Sequence, residues 1–255
     1  VTDNVGQTNS AAFNFTGTRV LVTGATSGIG HATAMAFAHA GAAVTVTGRR
    51  ASASGYDVDL DGFEYLQCEL GSPESVDAVV GAIDRLDVLV NNAGGAMPGG
   101  VREWDPSGFA EAVAVNLTGP MRLTVGLHPM LRDSAAAGGG AVVNVGSMAA
   151  FRTTAPFPGY GAAKSGLVML TMNLARKWAK DGIRVNAIAP GLTLTARSAE
   201  AMANPELLKA ELRRIPMGRA ANPEDITGPI LFLCTGAAAY ITGATYAVDG
   251  GYLTS

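Results

Sequence analysis

Tyr160 and Lys164 are four residues apart, the spacing that sets two side chains on one face of a helix. A free phenol, with a pKa of about 10, is almost wholly protonated at neutral pH, and a neighbouring ammonium favours the phenolate. A phenol tuned in this way can give or take a proton near neutrality, which is general acid/base work on an oxygen. Twelve residues separate Ser147 from Tyr160. Ser147 directly follows the apolar run Val142-Val143-Asn144-Val145, and its hydroxyl could hold a substrate oxygen on which charge develops. Each feature alone also has a plainer reading: a helix surface pair for Tyr160 and Lys164, a loop-start cap for Ser147. A hydrolase nucleophile is disfavoured, because Val145-Gly146-Ser147-Met148-Ala149 lacks the Gly-x-Ser-x-Gly elbow. Asn116 stands inside a long apolar helical pattern, where an asparagine commonly bonds its own helix backbone.

A second chemical signal lies near the start. Thr23-Gly24-Ala25-Thr26-Ser27-Gly28-Ile29-Gly30 runs from an apolar stretch straight into an alanine-rich one. Glycines there permit a tight turn, let backbone amides approach a pyrophosphate, and open a helix whose N-terminus favours anions. The spacing is Gly-x-x-x-Gly-x-Gly, and no P-loop lysine follows, so triphosphate hydrolysis is disfavoured.

These residues need a scaffold that brings loops together. Arg19–Val22 reads as a buried strand, followed by a helix from Ile29 to Ala40 with Gly41 at its end. Further strands are expected at 44–46, 63–66, 88–90, 142–145, 184–188 and 245–248, with helices between them. Ser72-Pro73-Glu74 opens one helix, and Ala163, Leu167, Leu170, Leu174 and Trp178 form the apolar stripe of another. Strands that are apolar throughout and alternate with helices predict an α/β, doubly wound, seven-stranded parallel sheet with helices on both faces. Ligands of such sheets bind beyond the carboxyl ends of the strands. Residues 1–16 read as a flexible tail and 17–255 as one dinucleotide-binding catalytic domain.

Together, Thr23-Gly24-x-x-x-Gly28-x-Gly30, Asn91-Asn92-Ala93-Gly94 and Tyr160-x-x-x-Lys164 resemble the short-chain dehydrogenase/reductase family. The resemblance runs from about residue 17 to the end, and Asn116, Ser147, Pro190-Gly191 and Asp249-Gly250-Gly251 fall in step with it. It implies a Rossmann-like fold and hydride transfer between a ketone and a secondary alcohol. It also implies a catalytic set of Asn116, Ser147, Tyr160 and Lys164, with Tyr160 as general acid/base. In that set Lys164 also bonds the nicotinamide ribose, and Asn116 holds a water that links the lysine to solvent. The implied cofactor contacts are Gly24, Thr26, Ser27, Gly28, Ile29 and Gly30 in the glycine loop, and Glu69 and Leu70 after the third strand. Asn92, Ala93 and Gly94 would lie by the adenine ribose, and Pro190, Gly191, Thr193 and Thr195 by the carboxamide. Thr193 stands where the family carries Ile or Val, and Glu69 where it prefers Asp.

An acid ending the second strand would accept the ribose hydroxyls of NAD and repel a 2′-phosphate. Here that stretch is Val46-Thr47-Gly48-Arg49-Arg50, so Gly48 replaces the acid and Arg49 and Arg50 could hold the phosphate bidentately. NADP(H) is favoured; NAD(H) stays open, because the two arginines also read as a solvated turn. The segment from Arg50 to Phe63 is too short and polar for a full helix.

The rest of the composition excludes other partners. A net charge of −3 and 6% aromatics give neither field nor stacking surface for nucleic acid. No apolar stretch reaches membrane-span length. Cys68 and Cys234, each in an apolar run, read as reduced thiols of a cytoplasmic protein, and His31, His39 and His128 make no metal-ligand spacing with them. Residues 192–218 form the expected substrate lid, with Phe151, Phe157 and Met97 on the opposite wall. These walls suit a largely apolar ketone, and a 3-oxoacyl thioester equally. A nucleotide-sugar epimerase would need a further domain, and a nucleotide-binding relative without activity would carry a broken Ser-Tyr-Lys set. Val168 and Met169, off the helix stripe, and the apolar 244–253 stretch point to a homo-oligomer, which the resemblance makes a homotetramer.

Overall fold

Short β-branched runs separated by helices cannot pair as hairpins, so they pair in parallel. In the computed structural model, which describes residues 12–96, 100 and 102–254, the strands are β1 (Arg19–Val22), β2 (Ala43–Gly48), β3 (Glu64–Gln67), β4 (Val88–Asn91), β5 (Gly140–Val145), β6 (Ile183–Pro190) and β7 (Thr245–Val248). They form one parallel sheet in the order β3-β2-β1-β4-β5-β6-β7. The chain winds outward from β1 in one direction and from β4 in the other, and Val20 pairs with Val88 at that switch. The connections from β1 and β4 lead to opposite faces of the sheet there, which opens the crevice where such sheets bind ligands.

The helices are α1 (Gly28–His39), α2 (Pro73–Ala82), α3 (Pro106–Val113), α4 (Gly119–Gly126), α5 (His128–Arg132), α6 (Pro158–Trp178), α7 (Ala196–Met202), α8 (Pro205–Leu212) and α9 (Pro223–Cys234). Side chains alternate across the sheet. Val20, Val22, Val88, Val90 and Val143 pack with Phe37 of α1 and Ile226 and Ile230 of α9. Leu21, Leu89, Val142 and Val185 face the other way, onto Leu123 of α4 and Leu174 and Trp178 of α6. Each such side chain contributes about 1.5–3 kcal/mol by leaving water, which holds both helical layers to the sheet. The doubly wound architecture is therefore as expected.

Two local expectations change. Residues 1–11 of the expected tail lie outside the described residues, but Phe15 is buried, edge-on to Phe37 with ring centroids 4.8 Å apart. Its amide also donates to the Ala40 carbonyl at 2.7 Å, so this aromatic anchors the approach to β1. Asn116 does not sit in a regular helix; residues Ala114–Thr118 form a π turn between α3 and α4. Between β2 and β3 the described chain makes only the 3₁₀ turn Ala53–Gly55, the truncation its composition implied. The 192–218 excursion carries α7 and α8 and is tied at both ends: Leu194 N–H donates to Ala221 O, and Met217 N–H to Gly250 O. Among the described residues no helix is long and apolar enough to cross a membrane.

Candidate active site

The glycine loop is held by the neighbouring strand's loop. Asn92 Nδ2 donates to the carbonyls of Thr23 (2.8 Å) and Gly24 (3.1 Å), and Thr23 Oγ1 accepts from the amides of Asn92 and Ala93. Gly24 has φ +63°, and a methyl there would lie 2.8 Å from Ala93 Cα, so the close approach of the two loops requires glycine. A side chain at Gly30 would run into the Asn92 amide. Ser27 gives α1 no side-chain cap, and its first turn carries no acid. The positive end of the helix is thus left uncompensated where a pyrophosphate would sit. Thr195 reaches the same loop from beyond β6, since a methyl at Gly28 would lie 2.9 Å from Thr195 Cγ2.

Tyr160 and Lys164 project from the first turns of α6. Lys164 is not a surface residue: it is 4% exposed, its Nζ donates to Val145 O at 2.8 Å and lies 5.7 Å from the centre of the Tyr160 ring. Ser147 follows β5 and caps the 3₁₀ turn Met148–Ala150, accepting from Ala149 N–H at 3.1 Å. That turn packs on α6, where Ser165 Oγ donates to Ala150 O and a methyl at Gly161 would lie 3.6 Å from Ala149 O. Ser147 therefore keeps its cap and stands beside the Tyr160 turn at the ligand edge of the sheet.

The fully buried Asn116 side chain spans two elements. Its Oδ1 accepts from Gly95 N–H (2.8 Å), and its Nδ2 donates to Gly95 O (3.0 Å) and Ala112 O (2.9 Å). A methyl at Gly94 would lie 2.5 Å from Asn116 Oδ1 and 3.7 Å from Lys164 Nζ, so Gly94 separates the asparagine from the lysine. The π turn is what carries Asn116 to this position, a common use of such turns at functional sites.

Gly48 ends β2 tightly flanked by two side chains: a methyl there would lie 2.5 Å from Tyr56 Oη and 2.6 Å from Thr26 Cγ2, so either would have to shift for a larger residue. Tyr56 Oη accepts from Arg50 N–H, and the Arg50 guanidinium stacks 4.9 Å over the Tyr56 ring. Arg49 and Arg50 are both exposed at the mouth. The Glu69 carboxylate turns back toward the Gly71 amide at 3.5 Å, as its extra methylene demands, while Leu70 is buried. After Pro190, Gly191 packs on Asp249, and Thr193 pairs in parallel with Ala221 and donates to Gly191 O. Met97, expected on the substrate wall, lies outside the described residues.

Three site residues were not assigned a role from the sequence. Thr23 ties the glycine loop to the loop after β4, Tyr56 fills the space beside Gly48, and Glu103 accepts from Tyr160 N–H at 2.7 Å. Only Thr23 had a cue, its place directly before Gly24.

Residues 24–253 match a family model described as enoyl-(acyl carrier protein) reductase. A 2-dehydro-3-deoxy-D-gluconate 5-dehydrogenase of Pseudoalteromonas atlantica is 32% identical over 94% of this chain and 98% of its own length. An L-tagatose-forming galactitol 2-dehydrogenase of Cereibacter sphaeroides is 35% identical, covering 94% of this chain and 96% of its own. The crystal structure of an Agrobacterium tumefaciens protein with bound NADP superposes with a TM-score of 0.85 at 36% identity, covering 96% of this chain and 100% of that one.

Proposed function

The chain belongs to the short-chain dehydrogenase/reductase family, and from that premise we propose that Tyr160 is the general acid/base of an NADP(H)-dependent interconversion of a ketone and a secondary alcohol. The observation that carries the reading is the buried Lys164 ammonium beneath the Tyr160 ring. A lysine taken out of water needs a task for its charge, and stabilising a phenolate is one. The chemistry a bound nicotinamide would supply here is a hydride given to or taken from the carbinol carbon. In reduction the Ser147 hydroxyl holds the carbonyl oxygen, and Tyr160 gives that oxygen its proton as negative charge develops there. The phenolate left behind is held by Lys164. Asn116, locked to Gly95 and Ala112, is assigned the water that returns a proton to the lysine from solvent.

The glycine loop, Asn92, Ala93, Gly94 and the segment from Pro190 to Thr195 suit the nucleotide, because their close packing and the uncapped start of α1 form an anion cradle. Arg49 and Arg50 support NADP(H), and NAD(H) is the alternative. The 192–218 excursion, anchored at both ends, is read as the lid. Exposed Leu194, Leu207 and Met217 suit a largely apolar ketone or a 3-oxoacyl thioester. A polar substrate is the second reading. It is favoured by Arg152, 4.6 Å over the Tyr252 ring, with Tyr252 in turn bonded to Glu211 and Arg214. The named relatives act on a polyol and a sugar acid.

Large apolar side chains left exposed on α3, α4 and α6 (Phe109, Met121, Val125, Met169 and Met172) and on α9 and β7 (Phe232 and Tyr246) support a homotetramer. Buried, unpaired Cys68 and Cys234 suit the cytoplasm. The test is loss of absorbance at 340 nm with NADPH and a panel of apolar ketones, 3-oxoacyl thioesters, ketoses and keto-sugar acids. Reduction of at least one class supports the reading, and the class reduced fastest decides between the two substrates.

A further inference from the structure

A helix needs its first amides satisfied, and α6 supplies nothing of its own for this. Its N-cap is Phe157, whose side chain cannot accept a hydrogen bond, and no acid stands in its first turn. The acceptor comes instead from the segment between β4 and α3. Glu103 is 2% exposed, and its Oε2 accepts from Tyr160 N–H at 2.7 Å, across 57 residues of sequence. A methyl at Gly159 would lie 3.3 Å from the same oxygen and 2.9 Å from Ala112 Cβ, so α3 and the start of α6 are in contact on either side of this bond. The next residue adds a second tie, with Trp104 Nε1 donating to Ala155 O at 2.8 Å.

We propose that Glu103 is a positioning residue for the reaction: its carboxylate fixes the turn carrying Tyr160 against α3, and so sets the phenol relative to Asn116 and Ser147. The inference rests on the reading of Tyr160 as the acid/base. Asn116 Nδ2 donates to Ala112 O, so the contact of Gly159 with Ala112 links the tyrosine turn and the asparagine through one packed step. The charge also complements the positive end of a 21-residue helix. Geometry matters more than the charge, because a displacement of about 1 Å at a reacting group can cost about a hundredfold in rate.

The test compares Glu103→Gln, which keeps an acceptor at the same reach without the charge, with Glu103→Asp, which keeps the charge and withdraws the acceptor by one methylene. For each, kcat, KM, the NADPH dissociation constant and the melting temperature are measured. We expect Glu103→Gln to stay within about threefold of wild type and Glu103→Asp to lose about tenfold or more in kcat, with NADPH affinity unchanged in both. On a Tyr160→Phe background, Glu103→Asp should change the residual rate no further. An Asp protein with wild-type kcat, a Gln protein as slow as or slower than the Asp one, or parallel loss of NADPH affinity overturns the proposal. If the Asp protein does not fold, Glu103→Met takes its place, and failure of both to fold makes Glu103 purely structural. Failure of the Tyr160 reading would be seen separately, as turnover retained by Tyr160→Phe alone.

Discussion

The buried Lys164 ammonium is read as serving both nucleotide binding and chemistry, so its removal should lower both. Lys164→Met keeps the aliphatic stem and removes the charge that bonds Val145 O. The expected outcome is a loss of about a hundredfold or more in kcat, since the phenolate loses its counter-charge. NADPH affinity, read by fluorescence titration, should fall about tenfold, the worth of one hydrogen bond to a charged group. Unchanged affinity would leave Lys164 with a proton-relay role alone. The second-strand arginines give a different prediction. Wild type should bind NADPH at least about tenfold more tightly than NADH at low salt, with the gap narrowing as salt screens these exposed charges. Arg49→Leu should shrink the gap on its own, and equal binding of both nucleotides at low salt would reduce the pair to a solvated turn. Placing an acid at Gly48 is a poor switch here, because its first carbon would strike Tyr56 and Thr26 and disturb the stacked Arg50.

At the scale of elements, α9 is held at both ends by buried or paired charge. Arg184, on β6, donates to the carbonyls of Leu233, Thr235, Gly138 and Ala238, so it caps the helix end, and burial lowers its pKa. Arg184→Met leaves those acceptors without their donor and should cost about 3 kcal/mol in urea unfolding, with little change in kcat of the folded enzyme. At the other end the Asp225 carboxyl is held down to about 2 by Arg219 and by the Asn222 amide. Its contribution is present above the ordinary aspartate pKa and is lost as pH falls from about 4 toward 2. Replacing Asp225 with Asn should flatten the fall in melting temperature over that window.

The inner strands were legible because buried parallel strands read as short apolar runs, and both β1 and the partly exposed edge strand β7 begin and end where the sequence puts them. The π turn at Asn116 was not, since its extra residue is fixed by bonds to Gly95, far away in sequence. Glu103 was hidden for the same reason. Tyr160, Ser147 and Lys164 were visible as a spacing, but only the fold shows that the lysine is buried and the serine is already a cap.

For the whole molecule, the exposed apolar side chains on α6 and on α9, helices that pack on opposite faces of the sheet, predict two self-complementary interfaces, the arrangement that closes into four copies. Light scattering should give the mass of four chains, and Met169→Glu with Met172→Glu on α6 should leave a dimer held by the α9 and β7 face. A monomeric wild type would remove the assembly. Whether Tyr160 is the proton donor of this hydride transfer is decided by one paired measurement. Wild type and Tyr160→Phe are mixed with NADPH and the best substrate of the panel, absorbance is followed at 340 nm, and NADPH binding is titrated in both. Comparable binding is expected, with the Phe protein slower by about a hundredfold or more. Equal rates in the two proteins would contradict it.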